Sequence, residues 1–203
     1  VDTLRFEASP RIEIEQVDGE AALSGWDQAS IELTLDGDAE QGVAEQRGDT
    51  LFISSHVALA INLPKGTIIH IGQVSGDLLV RELDGAISVD TAYGDVSLHL
   101  GRAEVTIGEV HGTLAAEQWM GAQSINETYG DAHLTRIGTA QLGQVHGLVH
   151  ARDVAGELKM GVVNGDVRVR EVAGPLVLEQ SRGYFQGQDL HGGLDAHQVG
   201  GDL

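Results

Sequence analysis

The sequence predicts an all-β fold, a single-stranded β-solenoid (β-helix) with coils of about eighteen residues, and two observations carry that prediction. The first is a glycine that recurs almost every eighteen residues, at Gly76, Gly94, Gly112, Gly130, Gly147, Gly165, Gly183 and Gly201. A second series falls half a period later, at Gly85, Gly121, Gly138, Gly156, Gly174 and Gly192, with Ala103 where one glycine is missing. The second observation is that apolar residues alternate with period two between these marks, as strands with one buried face require. A fixed short period of this kind is the signature of a solenoid.

In chain order, residues 1–74 read as an irregular strand-rich region continuous with the solenoid. Alternating segments at 11–17, 30–35, 50–54, 57–63 and 67–71 are separated by turn signals at Asp18-Gly19, Asp36-Gly37, Arg47-Gly48 and Pro64-Lys65-Gly66. These strands are expected to form wider first coils that cap the stack, since an uncovered end is an open row of strand hydrogen-bonding groups. No segment carries a capped pattern of helical period.

Residues 75–203 form the regular solenoid. From Ser75 to Val199 they divide into fourteen units of the form x-Gly-x-apolar-x-apolar-x-x-apolar, each nine residues long except 138–145, which lacks its first. The glycine is expected where the backbone turns, tolerating a positive φ that a side chain would resist. The aspartate that follows it (Asp77, Asp95, Asp131, Asp166, Asp202) is expected to bond the local backbone of the same turn. Stacked coils put equivalent residues in ladders. Leu78, Val96, Leu114, Ala132, Val149, Val167, Phe185 and Leu203 form one, and Val80, Leu98, Ala116, Leu134, Ala151 and Val169 another. A coil cannot bury these residues alone, so stability is a property of the stack.

Composition narrows the function classes. Aromatics are only 4%, which suits a narrow interior, and 31 acidic against 12 basic residues give a formal charge of −19. That charge argues against nucleic acid and anionic membrane surfaces as partners. Zero cysteines excludes disulfides and thiolate metal sites. No stretch approaches eighteen apolar residues, so no direct membrane insertion is expected. The start at Val1 rather than Met fits a removed leader or anchor. The stop at Gly200-Gly201-Asp202-Leu203 falls in mid-coil, which predicts either a cap or anchor beyond Leu203 or head-to-tail pairing into a filament.

The order of parts resembles a bacterial family of candidate adhesins whose biochemical function is unknown. The resemblance rests on opening strands, an apolar strand ending Leu63-Pro64-Lys65-Gly66, and turns such as Ser75-Gly76-Asp77-Leu78, Tyr93-Gly94-Asp95-Val96 and Asn164-Gly165-Asp166-Val167. It covers nearly the whole chain, though the motif is structural. It implies an exported or extracellular, envelope-associated β-solenoid, an adhesin-like scaffold without catalytic residues or cofactor.

The Gly-Asp repeat is similar to that of calcium-binding β-rolls, but each unit has one glycine, and Thr113, Leu148 and Tyr184 interrupt the aspartate column. The solvated turn aspartate is therefore the expected state of Asp77, Asp95, Asp131 and Asp166. Nine histidines scatter across the register. His111 and His146 share a corner column with Ser75, Tyr93, Tyr129, Asn164 and Arg182, where rings one rung apart can stack and where zinc would lack converging ligands. Carboxylates or arginines on one face could serve a polysaccharide-active β-helix enzyme, but the extended loops that build a cleft are missing between Gly76 and Gly201. The remaining candidate is a basic strip on one sheet face. His133, His150 and Arg168 share the fifth place of their units, and Arg81, His99, Arg152 and Arg170 the seventh. It reads either as ordinary exposed strand residues balanced by Glu171 and Asp153, or as a docking face for an anionic glycan or an acidic protein surface.

Overall fold

A computed structural model describes residues 2–37 and 42–201. Asp202 and Leu203, and with them the expected events at the mid-coil stop, lie outside the described residues. The chain forms strands β1 (Asp2–Glu7), β2 (Arg11–Val17), β3 (Ala21–Trp26), β4 (Ser30–Leu35), β5 (Gly42–Arg47), β6 (Thr50–Ser55), β7 (Leu59–Pro64), β8 (Ile68–Val74), β9 (Leu78–Arg81), β10 (Ile87–Ala92) and β11 (Val96–His99). It continues through β12 (Val105–Val110), β13 (Leu114–Glu117), β14 (Gln123–Thr128), β15 (Ala132–Ile137), β16 (Ala140–Val145), β17 (Val149–Val154), β18 (Leu158–Val163), β19 (Val167–Val172), β20 (Leu176–Ser181), β21 (Phe185–Leu190) and β22 (Leu194–Val199). No helix occurs among the described residues. The expected all-β solenoid is what forms, and its cross-section has two sheets of eleven strands.

From β8 onward the strands alternate between the sheets, each parallel to the strand one coil away. The register is the one the repeat dictates: Leu78, Val96, Leu114, Ala132, Val149, Val167 and Phe185 pair in series, as do Val80, Leu98, Ala116, Leu134, Ala151 and Val169. These residues are buried, and with Ile87, Val105, Val89, Ile107 and Ile125 of the facing sheet they form one continuous core. Each coil uses the in-out alternation twice, then places two residues outward before the next inward one, which turns the chain toward the corner.

Two expectations about the corners need correction. The repeating glycines do not adopt positive φ, whereas Gly48 (φ 60°) and Gly193 (φ 89°) do. Their role is close approach. The Gly130 amide donates to the Gly112 carbonyl at 3.1 Å and Gly165 to Gly147 at the same distance, so corners stack backbone on backbone. A Cβ at Gly130 would sit 2.5 Å from the Gly112 carbonyl oxygen. The left-handed residue lies instead at the eighth place of every first half-coil, where Glu82, Leu100, Gln118, Arg136, Asp153, Glu171 and Asp189 have φ between 53° and 58°. The turn aspartates, likewise, do not bond their own turn. The Asp77 carboxylate accepts from the Asp95 amide (2.9 Å), Asp95 from Thr113 (2.7 Å), Asp131 from Leu148 (2.9 Å) and Asp166 from Tyr184 (3.1 Å). Each extends the parallel ladder through a corner by reaching the next coil.

The first strands stack out of chain order. The coil β2–β3 lies between β6–β7 on one side and β8–β9 on the other. Beyond β7 come β4 and then β1, both antiparallel, and beyond β6 comes antiparallel β5. Ile31, Leu33 and Leu35 of β4 are buried and continue the core, with Leu4 and Phe6 of β1 packed partly against it.

Two features break the uniformity of the interior. Trp119 is buried and donates its indole N–H to the Ala103 carbonyl at 2.9 Å, its ring occupying the space left by the missing side chain of Gly101. Four residues on, at the start of β14, Gln123 is 2% exposed, and neither polar atom of its amide has a partner.

Candidate functional site: a cationic ladder on one sheet face

Parallel pairing in register turns sequence positions eighteen apart into columns on the outer face of the first sheet. Along one column run Ala115, His133, His150, Arg168 and Gln186, and along the next Arg81, His99, Glu117, Thr135, Arg152, Arg170 and Gln188. The structure therefore divides the predicted strip. His133, His150, Arg168, Arg152 and Arg170 come together on β15, β17 and β19. Arg81 and His99, on β9 and β11, are set apart by Glu117 and Thr135.

The five clustered side chains are all exposed, since inward Val149, Ala151, Val167 and Val169 leave the alternate positions to solvent. Their charges are partly compensated. Arg168 lies 3.3 Å from Asp166, Arg152 3.7 Å from Asp153 and Arg170 3.2 Å from Glu171. Pairs this exposed contribute little to stability. A hydrogen bond with Asp153 holds the Glu171 carboxyl above the usual carboxylate range, and burial adds to this against the opposing pull of Arg170 and Arg152. His133 and His150 pack edge to face, centroids 6.3 Å apart.

Position in the repeat identified these five, but it gave no sign of the Asp153–Glu171 contact. Both acids occupy the left-handed column (φ 55° and 58°), where no glycine or asparagine marks the backbone. The acid pair and the arginines are thus carried on one bend.

The corner column stacks as its spacing suggests. Ring centroids of Tyr93, His111, Tyr129 and His146 are 4.8, 4.6 and 4.9 Å apart in succession, with interplanar angles of 17°, 8° and 2°. His146 Nε2 lies 2.8 Å from Glu127, and its Nδ1 lies 3.1 Å from the Asn164 amide nitrogen. Among the described residues no three His, Cys, Asp or Glu side chains converge in a metal-binding group. The turn Asp77, Asp95, Asp131 and Asp166 each commit an oxygen to a backbone amide.

A groove of about 480 Å³ lies elsewhere, on the outer face of the second sheet. Val43, Phe52, Ser54 and Gly72 are among its lining, with Glu13, Glu15, Glu45 and Arg47 also around it. The cationic cluster is flat by comparison, a shape suited to an extended ligand rather than an enclosed small molecule.

Among solved structures, the chain is similar to a candidate adhesin of Parabacteroides distasonis, at 13% identity and a TM-score of 0.41 over 100% of this chain and 96% of that one. A candidate cell adhesion protein of Clostridium sporogenes gives 11% identity and 0.30 over 100% and 99%. A candidate adhesin of Parabacteroides merdae gives 11% and 0.31 over 100% and 95%. Scores this low carry no functional argument. No family model matches the chain, and no curated protein matches it.

Proposed function

We propose that the chain is a non-catalytic binding module, a rigid β-solenoid that docks an anionic surface on the outer face of β15, β17 and β19 in an adhesin-like, extracellular or envelope role. The observation that carries this reading is the gathering of His133, His150, Arg168, Arg152 and Arg170 on three adjacent strands of a chain whose formal charge is −19. A local concentration of cationic side chains on a strongly acidic molecule directs an anion to one place. The parallel ladder holds the side chains at a repeat of about 4.8 Å without requiring the face to order on binding. The sequence resemblance carried by Leu63-Pro64-Lys65-Gly66 and the Gly-Asp turns supports an exported location.

An array of acidic and neutral glycans tests the reading. Acidic members should be retained, and Arg152→Ala/Arg168→Ala/Arg170→Ala should release them while the melting temperature stays near that of the parent. Retention that survives this triple substitution would move the docking face elsewhere. One observation favours catalysis on a polysaccharide instead, namely the raised Glu171 carboxyl beside Arg170. Shortening of a bound polymer, abolished in Glu171→Gln, would establish that alternative.

A further inference from the structure

We propose that the ligand of this face is a linear anionic polysaccharide and that His133 and His150 form an acid-strengthened grip on it. The proposal rests on the docking reading above and adds ligand class and pH dependence.

Six of the nine histidines lie within 4.0 Å of a carboxylate: His56 by Asp18, His70 by Asp90, His99 by Glu117, His111 by Glu109, His146 by Glu127 and His197 by Asp195. His133 and His150 have no such partner among the described residues. The residues directly opposite them are cationic or neutral, and Glu117, two residues from Ala115 on β13, is engaged by His99 and Arg136. His133 on β15 faces Ala115 of β13 and His150 of β17. His150 in turn faces Arg168 of β19, with Arg152 two residues along its own strand. The nearby acids are engaged: Asp131 with the Leu148 amide, Asp166 with Arg168, Asp153 and Glu171 with Arg152, Arg170 and each other.

Histidine is the side chain whose ordinary titration lies between pH 5 and 8. Protonating this pair places two adjacent charges, one rung apart, beside three arginines whose flanking acids already have partners. An external anion is what relieves that repulsion. Glu171 moves the same way, because a carboxyl held above its usual range takes up its proton earlier as pH falls and frees Arg170, its ion-pair partner. Of the other seven histidines six meet their own carboxylates when protonated, His191 being the exception, so the uncompensated gain in positive charge is largest where His133 and His150 adjoin three arginines.

The geometry favours a polymer of sugars. Cationic positions recur at one rung, a step about as long as one pyranose ring, on an open face without a pocket. A chain with one charge per ring can follow the columns, whereas a folded acidic protein would have to present a flat row of its own.

The test measures binding of polygalacturonate and dextran sulfate, with dextran as the neutral control, to the full chain at pH 7.5 and 5.5 and constant ionic strength. The sulfate esters stay ionised throughout, so any pH effect with dextran sulfate belongs to the protein. Affinity for both polyanions should rise roughly tenfold on acidification. His133→Gln/His150→Gln should abolish that rise while leaving the weaker pH 7.5 binding, and His70→Gln/His197→Gln should keep it. Binding that is independent of pH, or a rise that survives loss of His133 and His150, would overturn the grip and leave the docking face intact. Binding of polyglutamate but of neither polysaccharide would overturn the ligand class. Absence of all polyanion binding at both pH values would remove the docking reading itself.

Discussion

The amino-terminal third and the regular coils build the same two-sheet section in different ways, and the difference separates local from long-range instruction. In the regular part every strand pairs with the equivalent strand of the next coil, as Val149 does with Val167, so each turn is specified by its neighbour. In the first third, Arg11 pairs with both Thr50 and Ile68, and the antiparallel strands β1, β4 and β5 close the end. Repetition is economical in information but leaves bare edges, whereas the irregular region uses distant pairings to cover one. Its pairing requires closure of longer loops, which places it late in folding relative to the local coils.

The strongest way to break the comparison is to perturb a rung. Leu134→Asp or Val167→Asp would bury a charge between coils, costing several kcal/mol and the cooperative transition. Gly130→Ala should cost about 3 kcal/mol, because its Cβ would meet backbone that cannot yield. Gly66→Ala, in the irregular region, has nothing within 4 Å of its Cβ and should change stability by under about 0.5 kcal/mol. Urea denaturation of the pair decides whether the repeated glycines act by close approach, and equal costs would refute it.

Gln123→Leu should raise stability by about 1 to 3 kcal/mol, because it removes a buried amide with no partner from an otherwise apolar column. A lower melting temperature would mean that the amide is satisfied within the core. Asp131→Ala should cost about 1 kcal/mol through the lost acceptor for Leu148, and Asp131→Asn less, since its amide oxygen still accepts. If the two are equally destabilised, charge rather than the inter-coil bond is responsible.

The smallest expected effects lie at opposite ends of the pH scale. Hydrogen bonding from His56 holds the Asp18 carboxyl below its usual range. Its contribution is present above the ordinary carboxylate range and is lost as pH falls through the lowered value. Tyr129 is pushed up chiefly by the Glu127 charge. Its contribution is present below the ordinary tyrosine range and is lost as pH rises through the raised value. Melting curves should therefore lose a little acid sensitivity in Asp18→Asn and a little alkaline sensitivity in Tyr129→Phe, and a reversed assignment would contradict both corners.

The regular coils were legible because their pairing is encoded at one period, so counting places Leu78 opposite Val96 without any structure. The reason for the glycines was not legible. A glycine that makes room for a neighbouring backbone and one that adopts positive φ look alike until Gly130 is seen against Gly112. The left-handed column was invisible for the opposite reason, since Glu82, Leu100 and Arg136 carry no turn signature. In the first third alternation located β2, β4, β6, β7 and β8 but missed β1, β3 and β5, and nothing local to β2 says that β6 and β8 will flank it. Of the strip, register brought His133, His150, Arg168, Arg152 and Arg170 together, while Glu117 and Thr135 divide off Arg81 and His99. The contact between Asp153 and Glu171 depends on a backbone bend that no residue type announces.

Because β2 and β3 are held on one side by β6 and β7 and on the other by β8 and β9, the earliest coil of the chain cannot be peeled from the end of the stack. A pull on the amino-terminal side would load two rows of parallel hydrogen bonds in each sheet at once, in shear along the strands, before any coil came free. The regular coils have no such interlock and can release one rung at a time. Under tension the molecule is therefore a graded spring, with the later coils as the compliant part and the crossed first coils as the clamp.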